Sequence, residues 1–516
     1  MVIHYELLDK WEARILKTAV SPKLGVNEAW FRSRCEGCDD IKLRPMHLGD
    51  RGQVACLAIY VEAAVSNLML EESMLGRLIN QLREMSEREL RECLEQDALG
   101  ISDAFPLDTL EDGLRGMLAG NLILIINGFD RILKIGSKGY PGRSVSDAES
   151  EKVLRGSNEG FCESVKQNTA LIRKRIRSTG LKVEEIFLGE RSDTVTAILY
   201  MEELAYPQIL EKLKAALETY EIDGVLDSGI LEQLAEENWI SPFPQFQTTE
   251  RPDLAAMELL EGRIVILSDN SPVALIVPAV LNDFMRVSED RYNRFEIASF
   301  QRLIRYAAMI FAVMLSGTYL AVTGFHTSIL PTNLLLSFAE ARRGVPFPGL
   351  LEVLFMELAF ELIREAGVRM PGPLSGTIGI VGGLIIGDAA VSANLVSPMA
   401  VVIVALSTLS SFAVPNEEFA AAFRIIKYGF ILLGGTLGMF GIVSAAYLLL
   451  GHLAGLSSFQ IPYLMPFTGK GIQEYRGEKN SVFRGPLRTM KYRLIYAQRD
   501  QRIRLRKKKE EQDVCG

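Results

Sequence analysis

Hydrophobic residues are distributed unevenly along this chain, and the longest uncharged runs all follow Arg305. Residues 306–325 carry no charge, and at about 1.5 Å per helical residue they span the roughly 30 Å hydrocarbon layer of a bilayer. Residues 374–414 contain a single charge and are about twice as long as one span, so they predict two helices that meet near 394–398. Residues 428–450 predict the last span.

The first three hundred residues show shorter patterns, typical of strands mixed with helices. A β-like run that begins at Val54 and another at Val195 each end in tyrosine and lead into a helical pattern. This weak internal repeat predicts two related α/β subdomains. A further strand is predicted at 122–129, and a hairpin is predicted between 263–267 and 273–277.

These patterns predict an α/β soluble N-terminal region with two related subdomains, followed by an α-helical polytopic membrane domain. The predicted parts are an irregular, variable segment (1–50), cytoplasmic subdomain 1 (51–150), cytoplasmic subdomain 2 (151–300), a membrane domain (301–456) and a basic cytoplasmic tail (457–516). About four transmembrane helices are expected, together with an amphipathic helix at 347–366. The amphipathic helix either lies at the interface or itself crosses, in which case 374–414 supplies a half-helix and one span.

Several charged residues interrupt the apolar half and need a physical reason to be there. On the helix at 347–366, four charges fall within about 100° of one another on a helical wheel: Glu357, Glu361, Arg364 and Glu365. Glu352 lies on the same helix, and Asp388 follows a glycine-rich run. Charges in such segments face a bundle interior, a partner or water, and they commonly mark ion or substrate paths. Pairing of Glu361 with Arg364 along the helix is the alternative.

Composition and charge narrow the classes of function. The chain has 516 residues, 48% of them hydrophobic, six cysteines and a formal net charge of −8. Residues 484–509 nevertheless hold eleven Lys or Arg, with Asp500 as the only acid, which predicts that the tail stays cytoplasmic. The amino terminus has no secretory-signal pattern, so the soluble half is also expected in the cytoplasm and the number of crossings should be even.

Chemical motifs are sparse in the soluble half. Cys35 and Cys38 with His47 are too few for a zinc site, and the glycines do not follow phosphate-loop spacings. The basic cluster around Arg173 is interpreted as a solvated face, with anionic lipid or acidic neighbours as the alternative. We therefore predict no enzymatic activity, no cofactor, no metal and no nucleic-acid binding.

A set of motifs resembles the A subunits of the GerA family of spore germinant receptors. In the apolar half they are His326-x4-Pro331-Thr332, Val345-Pro-Phe-Pro348, Glu361-Leu-Ile-Arg-Glu-Ala-Gly367, Arg369-Met-Pro371, Gly379-Ile-Val-Gly-Gly383, Ile386-Gly-Asp-Ala-Ala-Val391 and Ser458-Phe-x-x-Pro-Tyr463. In the soluble half they are Arg155-Gly156, Glu159-Gly-Phe161, Asn168, Leu171-Ile-Arg173, Ser241-Pro-Phe-Pro244, Thr249-Glu-Arg-Pro-Asp253 and Glu261-Gly262-Arg263. The resemblance covers residues 50–470. The chain departs from it at Asp388, where the family commonly has Gln, and at Gln460, where it has Gly.

The resemblance implies a protein of the spore inner membrane that forms a homo-oligomer, a pentamer, acting as a nutrient-gated cation channel. Its implied partners are a transporter-like B subunit that holds the nutrient, a lipoprotein C subunit and membrane lipid. A paralogue encoded with the dipicolinate channel, which amplifies germination, and a secondary transporter are the alternatives.

Two sets of residues are predicted to carry this function. The predicted ion-path or gating residues are Asp388, Glu357, Glu361 and Glu352. The predicted assembly or interface residues are Arg364, Glu365, Arg369, His326 and Arg251.

Overall fold

The computed structural model describes residues 18–49, 52, 54–65, 80, 82, 84–86, 104–136, 151, 155–368, 387–467 and 482–505. The chain forms two compact units. Unit 1 comprises Met1–Ala235, Thr248–Pro278 and Arg493–Ile503, and unit 2 comprises Glu236–Gln247, Ala279–Tyr492 and Arg504–Gly516. The predicted tail, 457–516, is therefore divided between the two units.

Unit 1 is built on two five-stranded sheets. The strands of the first are β1 (Ile41–Leu48), β2 (Val54–Val61), β3 (Ala104–Leu107), β4 (Leu122–Ile126) and β5 (Ile132–Ile135). The strands of the second are β6 (Leu181–Leu188), β7 (Thr194–Met201), β8 (Gln247–Thr249), β9 (Ile264–Ser268) and β10 (Ala274–Val277). Their spatial orders, β1-β2-β4-β5-β3 and β6-β7-β9-β10-β8, are the same when each sheet is counted from its own first strand. The predicted internal repeat is thus confirmed at the level of topology.

Helices cover these sheets and complete their cores. In chain order they are α1 (Leu24–Arg34), α2 (Glu62–Val65), α3 (Leu110–Leu118), α4 (Val165–Arg175), α5 (Pro207–Leu217), α6 (Ser228–Ala235) and α7 (Pro252–Leu260). The fully buried central strands supply the core, for example all five residues of β4 and of β9. Such continuous apolar strands bury both faces, which is why the run at 122–126 was readable from sequence.

The prediction of irregular structure before residue 50 is wrong for residues 24–34 and 41–48. Strand β1 pairs with β2 along its whole length, from Ile41 opposite Val61 to Leu48 opposite Val54. Its sequence, IKLRPMHL, contains three polar residues and Pro45, as an edge strand with exposed residues allows. The edge position removes the continuous apolar signal that marks β2.

Unit 2 is mainly helical. Its helices are α8 (Leu281–Phe284), α9 (Glu289–Tyr292), α10 (Phe295–Gly324), α11 (Thr332–Ala341), α12 (Gly349–Val368), α13 (Pro398–Phe412), α14 (Glu417–Leu437) and α15 (Met439–Gly455). A short ribbon follows, β11 (Ser457–Ser458) with β12 (Ile461–Pro462). Among the described residues, α10 and α14 are long and apolar enough to cross a membrane, and α13 and α15 are shorter apolar helices.

Close glycine contacts fix the direction of α10 relative to α14. A Cβ on Gly317 would lie 2.5 Å from the carbonyl oxygen of Phe430, and one on Gly434 would lie 2.5 Å from that of Gly317. Further along both helices, the Phe325 side chain lies against Gly438. The two helices therefore run parallel, and small residues let their backbones touch.

Helix α12 runs antiparallel to α14 inside this bundle. Leu350 packs against Gly435, while Glu357 pairs with Lys427 one to two turns further along. This packing places α12 inside the bundle, and both placements of residues 347–366 relative to a membrane stay predictions. The predicted break near 394–398 is confirmed: Asn394 has φ 56° and α13 begins at Pro398. The first half of 374–414 lies largely outside the described residues.

The prediction of one span at 428–450 is wrong, because Gly438 divides it. Gly438 has φ 62° and ψ −142°, a conformation that terminates α14 and starts α15. Phe243 contacts Phe423 near the start of α14 and His452 near the end of α15, so these two helices form an antiparallel hairpin. Glycine is tolerated in apolar spans, and for this reason the sequence alone did not reveal the turn.

Candidate functional site

The centre of the helical bundle contains a buried, charged triad. Glu357 of α12 and Lys427 of α14 are 1% and 3% exposed. The Lys427 ammonium donates to one carboxylate oxygen of Glu357 at 2.5 Å, and the Ser316 hydroxyl of α10 donates to the other at 2.7 Å. The carboxylate thus joins three helices, and burial is tolerated because each oxygen has a donor.

One turn further along α12, a second set of charges is less completely paired. The Glu361 carboxylate lies 3.4 Å from Nε of Arg424 and 3.9 Å from the Arg364 guanidinium. Arg364 donates to the Ser411 hydroxyl at 2.6 Å and lies 4.4 Å from the centre of the Phe412 ring. Its buried Nε and Nη1 have no hydrogen-bond partner among the described residues.

Towards the other end of α12, Glu352 caps a neighbouring helix. The backbone N–H of Ser397 donates to its carboxylate at 2.5 Å, the Ser397 hydroxyl donates to the same oxygen, and Arg342 lies 3.7 Å from the other. Ser397 is the N-cap of α13, so the Glu352 charge sits at the positive end of that helix. These hydrogen bonds to the Glu352 carboxylate hold the start of α13 against α12.

Together these residues form what we call the α12 acid row: Glu352, Glu357 and Glu361. Every acid of the row faces a basic residue of a neighbouring segment, Arg342, Lys427 or Arg424. In this arrangement the row is charge-compensated, so a cation entering the bundle would have to compete with ammonium and guanidinium groups for the carboxylates.

The chain is similar to known proteins over most of its length. A family model described as Bacillus/Clostridium GerA spore germination protein matches residues 29–496. The chain belongs to the GerA family. Within it, the chain belongs to the A-subunit type of the spore germination receptors, as predicted from the motifs.

Relatives of this GerA-family chain cover nearly all of it. Spore germination protein KA of Bacillus subtilis (strain 168) is 34% identical over 90% of the chain and 85% of its own length. Spore germination protein A1 of the same organism is 39% identical over 75% of the chain and 80% of its own length. The membrane protein YfkQ of that strain is 36% identical over 91% of the chain and 90% of its own length.

One solved structure matches about half of this chain. The crystal structure of the N-terminal domain of the A subunit of the Bacillus megaterium spore germinant receptor GerK3 matches 52% of this chain and 98% of that one, with 27% identity and a TM-score of 0.40.

The other predicted path residue, Asp388, lies elsewhere in unit 2. It is exposed on the helical residues 387–392, which precede the turn into α13. An exposed carboxylate is available to solvent or to an ion. Its position therefore differs from that of Glu352 and Glu357, which the bundle buries.

The predicted assembly residues occupy different environments. Glu365 is exposed, whereas His326 lies at the end of α10 with Nδ1 3.4 Å from the Ala321 carbonyl oxygen. Arg251 is 1% exposed; it pairs with Asp253 and donates to the backbone carbonyls of Glu151 and Ser157. Arg251 thus stabilises subdomain 2 from within. Arg369 lies outside the described residues, and Arg364 takes part in the bundle contacts above.

Three residues of the basic cluster, Arg173, Lys174 and Arg175 of α4, pair with acidic neighbours. Arg173 is fully buried and makes a two-pronged pair with Asp40 at 2.7 and 2.8 Å. Lys174 and Arg175 both pair with Glu159. The acidic-neighbour alternative was therefore the right one for these three residues.

Cysteines 35 and 38 lie beside this cluster and have free, buried thiols. Burial, together with the neighbouring Cys38 thiol, raises the pKa of Cys35 to about 12 even though Arg173 opposes the change. Across the part of the chain that the structure describes, no three His, Cys, Asp or Glu side chains are grouped as metal ligands.

Sequence reasoning missed the residues that bind the acids of the site. Lys427, Arg424 and Ser316 were not predicted, although Lys427 interrupts the apolar stretch RIIKYGFILL. A lysine within an apolar helix carries the same cost as an acid there, so the two together signal a pair. The acid that pairs with Lys427 is determined by how two helices pack, and the paired residues are seventy positions apart in the sequence.

Proposed function

We propose that this chain is the A subunit of a germinant receptor in the spore inner membrane, and that it assembles as a homo-oligomer, a pentamer, into a nutrient-gated cation channel. Unit 1 and the tail face the cytoplasm. The observation that carries the proposal is the α12 acid row: charge-compensated acids, two buried and one half-buried, inside an apolar helical bundle.

The surface of the bundle supports its location in a membrane. Large apolar side chains are about half exposed or more on every long helix of unit 2, for example Phe311 on α10, Leu358 on α12, Leu409 on α13, Ile425 on α14 and Leu448 on α15. Exposed apolar patches of this extent fit lipid or subunit contacts and are unusual for a monomer in water.

The acids supply the means of choosing cations. In a homo-oligomer every acid is repeated around the symmetry axis, and rings of carboxylates attract cations electrostatically. Glu361 and Asp388 are the accessible members, since Glu361 is half-buried and Asp388 exposed. Glu352 and Glu357 are held by Ser397, Ser316 and Lys427 inside the subunit.

Gating follows from the pairing on α14. While Lys427 and Arg424 hold Glu357 and Glu361, the carboxylates are neutralised. A shift of α12 along α14 by one turn, about 5.4 Å, separates these pairs and changes the field along the row. The nutrient signal reaches this chain from a B subunit, and a lipoprotein C subunit completes the receptor.

The experiment compares nutrient-triggered potassium release from spores that carry the wild-type chain, Asp388→Asn or Glu361→Gln. Both variants keep the size of the side chain and remove the charge, so receptor level should be unchanged by immunoblot. We expect release to be slowed at least several-fold in each. Normal release in both variants at normal receptor level would contradict the placement of these acids on the path.

Purified protein in liposomes separates a channel from a transporter. A channel conducts potassium down its gradient with no substrate on the other side, whereas a transporter requires an exchanged or co-transported substrate. Glu365→Gln, on the same helix as Glu361 but outside the α12 acid row, is the matched control for Glu361→Gln. Genes for B and C subunits beside this one would indicate a full receptor, and dipicolinate channel genes would indicate the amplifying paralogue.

A further inference from the structure

The last described segment of the chain is a folded element of unit 1. Residues Arg493–Ile503, which we call the hook, belong to unit 1 although the residues on both sides belong to unit 2. Three residues of the hook are buried: Leu494 is 5% exposed, Tyr496 2% and Ala497 0%. Burial of this kind is not expected of a basic tail whose only role is to set topology.

The hook is closed on itself by one arginine. The N–H of Arg493 donates to the Arg502 carbonyl oxygen at 2.6 Å. The Arg493 guanidinium donates to the carbonyl oxygens of Gln501 and Ile503 at 2.7 and 3.0 Å. The positively charged Arg493 side chain thus binds carbonyl oxygens of its own chain.

The surface that receives the hook is the Glu261-Gly262-Arg263 tract between α7 and β9. The Glu261 carboxylate accepts from the N–H of Leu494 at 3.1 Å. The Arg263 guanidinium, itself fully buried, lies 3.9 Å from the centre of the Tyr496 ring, within the range of a cation–π contact. Each residue of this motif that has a side chain therefore has a counterpart in the hook.

The backbone conformation and close contacts at position 262 explain why the middle residue of the motif is glycine. It has φ +97°, and a Cβ there would lie 2.7 Å from Cα of Ala497 and 2.8 Å from the Tyr496 carbonyl oxygen. The hook backbone passes where a side chain would otherwise be. Backbone contacts continue this fit, since the Gln498 N–H donates to the Leu204 carbonyl at 2.9 Å and its side chain donates to the Ala205 carbonyl at 2.6 Å.

We propose that subdomain 2 carries a peptide-docking site, formed by Glu261-Gly262-Arg263 and the turn at Leu204–Ala205, whose occupant is the hook of the same chain. The docked hook tethers the carboxyl-terminal segment to subdomain 2. The basic residues of the tail then serve folding and docking as well as orientation in the membrane. This inference is independent of the proposed channel activity.

Limited trypsin digestion of the full-length protein in detergent tests the docking, because the hook contains its own cleavage sites. Docking protects the bond after Arg493, and Tyr496→Ala should speed its cleavage at least tenfold. Ile503→Ala is the matched control, since Ile503 is a hook residue with a 44% exposed side chain, and it should behave as wild type. Cleavage after the buried Lys182 in β6 reports whether subdomain 2 is still folded.

Wild-type cleavage after Arg493 as rapid as in Tyr496→Ala would overturn the proposal. If Tyr496→Ala also exposes Lys182, disulfide trapping decides instead. Ala205→Cys with Gln498→Cys should cross-link within one chain upon oxidation, and Ala205→Cys with Ile503→Cys should not. A cross-linked dimer on a non-reducing gel would show that the occupant comes from another copy, and no cross-link at all would show that the site is empty; both overturn the assignment.

Discussion

Buried charges in unit 1 and in unit 2 are satisfied to different degrees. In unit 1, the Arg173 guanidinium uses two nitrogens on Asp40 and its third on the carbonyl oxygens of Ser178 and Leu181, at 2.7 to 3.0 Å. In unit 2, Arg364 is almost as buried but donates to Ser411, and two of its nitrogens have no hydrogen-bond partner among the described residues. Both arginines lie on helices beside a carboxylate.

This difference distinguishes an ion pair that fixes the fold from an ion pair that can rearrange. A fully bonded buried arginine can leave its position only by losing several hydrogen bonds at once, so it fixes one arrangement of the chain. A partly bonded one loses little when its surroundings shift, and partly satisfied buried groups are where strain and switching are found. The α12 acid row, with Glu357 tightly held and Glu361 loosely held, lies between these cases.

The largest effect is expected from breaking the pair in unit 1. Arg173→Met leaves the Asp40 carboxylate buried without its partner, which should lower stability by about 3–5 kcal/mol. Arg175→Met, on the same helix but paired with Glu159 at a partly exposed site, should cost about 1 kcal/mol or less. Thermal unfolding of the full chain in detergent measures both. Similar losses in the two variants would remove the distinction.

Breaking the central pair of the bundle should affect both stability and conduction. Lys427→Met leaves Glu357 buried and charged, at a cost of about 3–5 kcal/mol if α12 stays in place. If α12 shifts instead, the cost is smaller and potassium leaks from liposomes without nutrient. The double variant Glu357→Gln with Lys427→Met should recover most of the stability. A stable, non-leaking Lys427→Met would show that the pair is inert.

One acid of unit 1 has a raised pKa, so the dependence of stability on pH can be tested there. Burial raises the pKa of Glu151 to about 7, although a hydrogen bond from Thr249 and the charge of Arg251 act in the opposite direction. Because the folded-state pKa lies above the unfolded value of about 4.3, wild-type stability should fall as pH rises from about 4.3 to 7 and stay low above it.

Glu151→Gln removes this loss and keeps an acceptor for Thr249. We expect the variant to be more stable than wild type by about 3–4 kcal/mol at pH 8, with equal stability near pH 4. Melting temperatures across this range measure the difference. A gap between the two proteins that does not change with pH would contradict a raised pKa at this carboxyl.

Only a small change in stability is expected at Arg364. Arg364→Met loses the hydrogen bond to Ser411 and the contact with the Phe412 ring, together about 1 kcal/mol, and the thioether refills the space. Glu361 then keeps Arg424 as its basic neighbour, so potassium release should change more than stability does. Arg364→Lys keeps the charge and is the control. Destabilisation as large as that of Arg173→Met would place Arg364 with the structural pairs.

Sequence patterns predicted the elements whose apolar residues follow a regular spacing over a short stretch of the chain. The repeat starting at Val54 and Val195, the hairpin of β9 and β10 and the long helix α10 were readable because their apolar periodicity is continuous. Strand β1 was missed because it is an edge strand with little apolar signal. Likewise, the row on α12 was visible as acids at helical spacing, whereas its partners Lys427 and Arg424 depend on how distant helices pack.

The turn at Gly438 has a consequence for how the protein is made. With a single residue between α14 and α15 and no charge near it, the ribosome cannot deliver the first helix to the membrane and leave the second outside. In the proposed topology the pair must enter as one hairpin, so its two ends emerge on the same side. Insertion of a hydrophilic tag after Gly438 would be expected to block biogenesis rather than to report which side of the membrane the turn faces.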